Sequence, residues 1–184
     1  MSRNNWINLF FSRFVAKNRM SFALPFNLDV HRMSEIEIKE FTELTGVVVD
    51  LLVELEKKIF DEPLSREVFH RELKGRPNLS ILVGYIQGDA CGYKIGFEYH
   101  SDHEYFYSWN GGIIPNYRRR GIASALMARQ HEIAKAKGFR YIRTQTKNKY
   151  RNMLLLNIKE GFEVTGVYKK LREKQHGIIL EREL

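Results

Sequence analysis

The residues Ile113-Ile114-Pro115-Asn116-Tyr117-Arg118-Arg119-Arg120-Gly121-Ile122-Ala123 set the tightest limits on what this chain can fold into. The apolar pair before Pro115 reads as the end of a strand, because proline closes strands but rarely sits inside them. Beyond Gly121, the residues Ile122, Ala125, Leu126 and Ile133 share one face at helical spacing, and Gly138 closes the run. A strand that passes through a short basic loop into an amphipathic helix implies a fold that mixes both element types.

A helix start exposes backbone N–H groups without intrahelical partners and carries the positive end of the helix dipole. Gly121 lets the backbone approach a ligand, and Ala123 keeps the next turn slim. Arg118, Arg119 and Arg120 add charge beside those donors. The combination suits phosphate oxygens. The spacing is Arg-x-x-Gly-x-Ala. It is not a P-loop, since no Gly-Lys-Ser/Thr follows, and it is not the dinucleotide pattern G-x-G-x-x-G.

Around this stretch the pattern predicts the order βααβββαβαββ. Ile36, Ile38 and Phe41 mark a first strand, and Gly46 to Phe60 a helix with Pro63 beyond it. Ser65 is a candidate cap for a second helix reaching about Lys74. Leu79–Ile86, Cys91–Tyr99 and the alternating run of Tyr105, Tyr107 and Trp109 form a meander, with a turn at Gln87-Gly88-Asp89. Asn110-Gly111-Gly112 is read as a bulge. After the helix from Arg120 to Lys137 come a strand at Arg140–Lys147, a helix at Tyr150–Lys159, and a closing hairpin at Phe162–Leu171 and Gly177–Leu184.

The chain of 184 residues, 43% hydrophobic, is large enough for one full core plus an extension. The reading is 1–33 as a basic amphipathic extension and 34–184 as one domain. In the extension Trp6, Phe10 and Phe14 recur every four residues, with Arg3, Arg13 and Lys17 between them. A packed arm or a non-functional extension is favoured over membrane contact by residues 1–33. The single cysteine, Cys91, excludes an internal disulfide framework and fits a reducing compartment, so a cytoplasmic location is expected.

The net charge of +8 is unevenly spread. Residues 34–115 hold eight Lys/Arg against fifteen acids, while 116–151 hold eleven against one. The basic block would attract a phosphorylated co-substrate and the acidic block a cationic acceptor. No helix-turn-helix, finger or RNP motif is visible, so no nucleic-acid partner is expected. His100 and His103 form His-x-x-His, but two ligands do not make a site and no metal is expected.

The Arg118-x-x-Gly121-x-Ala123 loop, entered from Gly112-Ile113-Ile114-Pro115, resembles the pyrophosphate loop of the GNAT superfamily of acyl-CoA-dependent N-acetyltransferases. The element order over about 34–184 is similar too. So is the later stretch with Asn148, Asn152, Met153, Asn157 and Gly161-Phe162. The resemblance implies an α/β (α+β) GNAT fold, a mixed sheet of about seven strands flanked by about four helices. It implies acetyl-CoA as co-substrate and a small-molecule or peptide amine as acceptor, attacked directly in a ternary complex. A non-catalytic acyl-CoA-binding module is the alternative, and a homodimer stays open.

By the same resemblance, N–H groups of Arg119, Arg120, Gly121, Ile122, Ala123 and Ser124 would hold the pyrophosphate, with Arg118 and Arg120 as charge partners. Ile113 and Ile114 would pair with the pantetheine arm like an extra strand. Asn148, Asn152 and Asn157 complete the cofactor-binding candidates. Counting back from Arg118, Tyr107 falls where some relatives hold a catalytic glutamate, and Glu98 and Glu104 are nearby acids able to act through water. Asn157 is a departure, since many relatives place there the tyrosine that protonates the departing thiolate. Tyr150 is the only tyrosine on that helix able to substitute, and solvent water is favoured as the proton source.

Overall fold

Thr45 starts the first helix by accepting a hydrogen bond from the Val48 N–H on its side-chain oxygen, at 3.3 Å. In the computed structural model, which describes residues 36–99, 103–169 and 176–184, this helix is α1, Gly46–Ile59. It follows strand β1, Ile36–Phe41, and precedes α2, Arg66–Leu73. Helix α1 ends with Phe60 in an extended conformation, three residues ahead of Pro63. The expected extension 1–33, with its aromatic repeat, lies outside the described residues.

Strands β2 (Ser80–Ile86) and β3 (Asp89–Glu98) join through Gln87 and Gly88, whose φ angles are +52° and +86°. Two successive positive φ values give the turn twist that matches a right-twisted hairpin. Strand β4 (Tyr105–Ile113), a short 3₁₀ turn at Pro115–Tyr117 and helix α3 (Ile122–Ala136) follow. Then come β5 (Tyr141–Lys147), α4 (Arg151–Lys159), β6 (Glu163–Lys169) and β7 (His176–Glu183). The seven strands form one sheet in the order β1-β2-β3-β4-β5-β7-β6. Only the β4–β5 pair is parallel, and α3 supplies its crossover.

The sheet buries both faces. On one, Val49, Leu52 and Leu55 of α1 and Phe69 and Leu73 of α2 pack on Ile81, Val83, Tyr93, Ile95 and Phe97. On the other, Ile122, Leu126 and Ile133 of α3 meet Leu82 and Cys91, while Met127 and Ala134 meet Phe106, Ile142 and Leu180. Lys94 and Gly96 point toward α3, because β3 alternates its side chains between the two layers.

Two features of β4 open the sheet. Its pairing with β5 runs from Tyr105–Tyr141 to Ser108–Thr144 and stops there, although both strands continue. Thr144 Oγ1 donates to the Ser108 carbonyl at 2.9 Å at this fork. On the β3 side, Ile95 pairs with Asn110 but Gly96 with Ser108, so Trp109 is the extra residue of a bulge. The bulge therefore lies at Trp109, ahead of the expected Asn110-Gly111-Gly112. Those glycines answer to close approach instead. A Cβ on Gly112 would stand 2.6 Å from Ile59 Cγ2, and one on Gly111 2.8 Å from the Tyr93 carbonyl oxygen. A bulge sends two consecutive side chains to one face and sharpens the local twist. Trp109 accordingly packs against Phe69 and Phe97, and the next residue, Asn110, bonds the Tyr93 hydroxyl at 2.8 Å in the same layer.

Candidate active site

The basic loop is built from left-handed backbone. Arg119 has φ +63° and Gly121 φ +81°, the latter capping α3. A Cβ at Gly121 would meet nothing within 4 Å, so the conformation, rather than crowding by the protein, demands glycine here. The first helical bond runs from Ala125 N–H to Gly121 O at 2.9 Å, leaving the N–H groups of Ile122, Ala123 and Ser124 without intrahelical partners. They border a cavity shared with Arg119, Asn152 and Lys159. An anion there meets a helix start and three flanking cations, Arg118, Arg119 and Lys159.

One of the expected roles in this region differs in detail. Ile114 N–H donates to Cys91 O at 2.9 Å, so the sheet already uses it and it is not offered to a ligand. Backbone groups alternate along a strand, so Ile113 faces the opposite edge, and its carbonyl accepts from Arg118 Nε at 3.0 Å. Arg118 also reaches the Ile59 carbonyl at 3.5 Å. It thus ties the loop to β4 and α1. Arg120 lies over the Tyr117 ring at 5.4 Å, and both Arg118 and Arg119 border the anion cavity.

From the loop, two further cavities continue toward the fork. A narrow one, lined by Ile113, Gly111, Ala123, Leu126, Met153 and Lys94, shares Ile113, Ala123, Met153 and Leu156 with the anion cavity. It shares Lys94, Gly111 and Met153 with the cleft between β4 and β5. That cleft has a volume of about 260 Å³, room for an acyl thioester end and a small amine but not for a whole nucleotide. Phe60, Trp109, Asn110, Thr144, Asn157 and Tyr168 are among its walls. A helix start flanked by cations, a slim passage and a cleft of mixed polarity therefore lie in series along one unpaired strand edge.

The predicted site residues divide clearly. Asn152 reaches the anion cavity, and Asn157, only 2% exposed, lines the cleft. Asn148 sits exposed in the turn before α4 and borders none of the three cavities. Tyr150 caps α4 rather than lying within it and borders the cleft. Tyr107 packs beside Phe97 and Tyr99 on the α1–α2 face. Burial, reinforced by the neighbouring Tyr168 and Tyr99, pushes its phenol up to about 12, so it is neutral at physiological pH and a poor base. Glu98 accepts from Asn78 Nδ2 at 2.8 Å and pairs closely with His103. These hydrogen bonds, His103 first, hold its carboxyl below the usual range. It borders none of these cavities, and neither does Glu104, which lies ahead of β4 and accepts Arg140 and Tyr141 N–H bonds on its carbonyl. His100, the partner of His103 in the His-x-x-His pattern, lies outside the described residues.

Sequence reading missed Lys94, Trp109, Asn110, Thr144 and Tyr168 as cleft residues. Only Lys94 carried a signal, as a lone cation inside the apolar run Cys91-Gly92-Tyr93-Lys94-Ile95-Gly96-Phe97. The others depend on where β4 and β5 part, which no local pattern encodes.

Behind the fork stands a buried polar cluster. The Glu56 carboxyl, 1% exposed, accepts from the Leu64 N–H at 2.7 Å, from Asn110 Nδ2 at 3.2 Å, and from the Tyr93 hydroxyl at very close range. It fixes Asn110, and with it the bulge, against α1.

The Acetyltransferase (GNAT) family matches residues 46–153, more than half of the chain. No curated protein matches the sequence. Among solved structures, the ribosomal-protein-S18-alanine N-acetyltransferase from Escherichia coli aligns with TM-score 0.65 at 16% identity, covering 80% of this chain and 94% of its own. A GNAT family acetyltransferase from Elizabethkingia anophelis with acetyl-CoA bound aligns with TM-score 0.64 at 21% identity, covering 82% and 99%. Ard1 from Thermoplasma volcanium aligns with TM-score 0.66 at 16% identity, covering 82% and 98%. These likenesses establish the fold.

Proposed function

Because this chain belongs to the GNAT acetyltransferase family, we propose that it transfers an acetyl group from acetyl-CoA to a primary amine by direct attack in a ternary complex. One observation carries the reading: the unpaired edge of β4 links the helix-start anion cavity to the cleft at the Ser108–Thr144 fork. Acetyl-CoA has the same order of parts, a pyrophosphate, a slim amide-bearing arm and a thioester.

The pyrophosphate is held by N–H groups from Arg119 to Ser124, with Arg118, Arg119, Asn152 and Lys159 lining its cavity and Arg120 as a further charge partner. The pantetheine amides pair with the free edge at Gly111 and Ile113. The thioester carbonyl reaches the fork, where a free strand amide stabilises the charge developing on its oxygen. The amine enters from the α1–α2 side, past Phe60, Trp109 and Asn110. It attacks as the free base, its proton passing to water. Tyr107, Glu98 and Glu104 stand off the cleft, so any part they play runs through such a water relay.

The acidity of residues 34–115 does not reach the cleft, where none of the lining residues is Asp or Glu. A cationic acceptor would have to hold its further charges outward, away from the cleft lining.

Direct attack predicts a kinetic pattern. Cys91 is fully buried, its thiol donates to Gly84 O at 3.1 Å, and burial pushes its pKa up. It is therefore a poor acyl carrier. Initial rates against acetyl-CoA at several amine concentrations should give intersecting lines, and Cys91→Ala should change kcat by no more than a few-fold. Parallel lines with an acetyl-enzyme burst would sink direct attack.

A further inference from the structure

In the cleft, one cation stands without a counter-charge. Lys94 lies on the α3 face of β3, opposite Gly111 of β4 in the strand register. A Cβ on Gly111 would lie 3.4 Å from Lys94 Cγ, so the lysine stem crosses β4 where the strand has no side chain. Lys94 borders both the narrow passage and the cleft, the two spaces joined at the thioester's place under the function proposed above. Among the described residues its ammonium has no hydrogen-bond or ion-pair partner. Lys94 is partly buried. An ammonium drawn out of water without a partner is costly, and such groups persist where a ligand or a reaction uses them.

We propose that Lys94 is the general acid that protonates the departing CoA thiolate. The step balances as follows. The amine nitrogen bonds the carbonyl carbon and gives up one N–H proton to water, the C–S bond breaks, and its electron pair goes to sulfur. A proton moves from Lys94 Nζ to that sulfur, giving CoA thiol and a neutral lysine, which takes its proton back from water. The proposal rests on the acetyl-transfer reading and replaces solvent as the proton source.

The other cleft groups do not compete for this role. Asn157 has no acidic proton. The Tyr168 hydroxyl donates to Gln145 Oε1 at 2.9 Å, which engages its proton. Tyr150 is half exposed at the mouth. Of the charged or titratable groups on the packed elements, His131 of α3 is pushed down to about 4, by burial first and then by Arg182 and Lys94, so it is neutral at working pH. Lys147 of β5, together with Tyr150 and Tyr168, completes the titratable lining. With no carboxylate bordering the cleft, burial brings the Lys94 ammonium down to about 8, close to the ~8.5 of an ordinary thiol. Such a match suits proton transfer between the two.

The test compares wild type with Lys94→Gln and Lys94→Arg, plus Tyr150→Phe as the rival donor. The first readout needs no acceptor. CoA bound to each protein is titrated while the ultraviolet absorbance of its thiolate is followed. In wild type the thiolate should form at lower pH than in Lys94→Gln, because the ammonium stabilises it. The second readout is kcat, which general-acid loss should lower by roughly 10²–10⁴-fold in Lys94→Gln and by only a few-fold in Tyr150→Phe. Wild-type kcat should also fall as pH rises through about 8, where Lys94 loses its proton, and Lys94→Gln should lose that limb. Lys94→Arg keeps a charge but holds its proton too tightly to restore the rate.

Equal thiolate titrations in wild type and Lys94→Gln would overturn the proposal while leaving acetyl transfer intact. So would a Lys94→Gln protein of unchanged kcat and pH profile. A wild-type protein that binds neither CoA nor acetyl-CoA would overturn the acetyl-transfer reading, and this inference with it.

Discussion

Gly121→Glu is expected to abolish acetyl-CoA binding. Position 121 caps α3 with φ +81° and faces open space, so a glutamate there puts a negative charge among the N–H groups of Ile122, Ala123 and Ser124. It takes the anion's place and repels it. Acetyl-CoA at a hundredfold excess over Kd should stabilise wild type by about 2.7 kcal/mol, read as a rise in Tm. The Gly121→Glu protein should show no rise. Gly121→Asn separates charge from backbone effects, since asparagine tolerates the left-handed region better than other side chains. It should keep a weakened rise. A full response from Gly121→Glu would remove the loop from the binding site.

Glu56→Ala should cost roughly 3–5 kcal/mol of stability, because it leaves the Leu64 N–H, the Tyr93 hydroxyl and the Asn110 amide without their acceptor and opens a void. In a chain of this size that is a drop in Tm on the order of 10 °C. Asn110 lines the cleft, so freeing it should also loosen the bulge that aims Trp109 and Asn110 toward the α1–α2 layer. Urea unfolding checks the first effect. A loss below about 0.5 kcal/mol, the size of an ordinary surface change, would show that the cluster does not hold the fork.

The sequence carried the loop because its signal is local. Proline, arginines and glycine fall within a few residues, and the following helix has a regular apolar face. Element order was legible for the same reason, and the resemblance to the family drew on both, together with the later stretch from Asn148 to Phe162. The bulge was misplaced because Gly111-Gly112 looks like a kink in one dimension. The space those glycines leave is instead taken by Ile59 of α1 and by the Tyr93 backbone, elements distant in sequence. The acids Glu98 and Glu104 lie close in sequence to Tyr107, but Glu98 closes β3 and Glu104 precedes β4, so both stand at the start of β4, away from the cleft. The cleft itself arises where β4 and β5 cease to pair, a property of two strands and a crossover. The resemblance implies a tyrosine where Asn157 stands, but that Lys94 lies opposite Gly111 and borders the same cleft is visible only in the strand register and the cleft lining.

Release of free CoA thiol from acetyl-CoA, followed across a panel of amines with the wild-type chain, tests the central claim most directly. Acetyl transfer predicts thiol appearing only when protein and a competent amine are both present, in equal amount to an N-acetylated product identified by mass. A folded chain that acetyl-CoA stabilises, yet that releases no thiol above the protein-free rate with any polyamine, amino sugar, peptide N-terminus or lysine side chain, would contradict it and leave an acyl-CoA-holding module in its place.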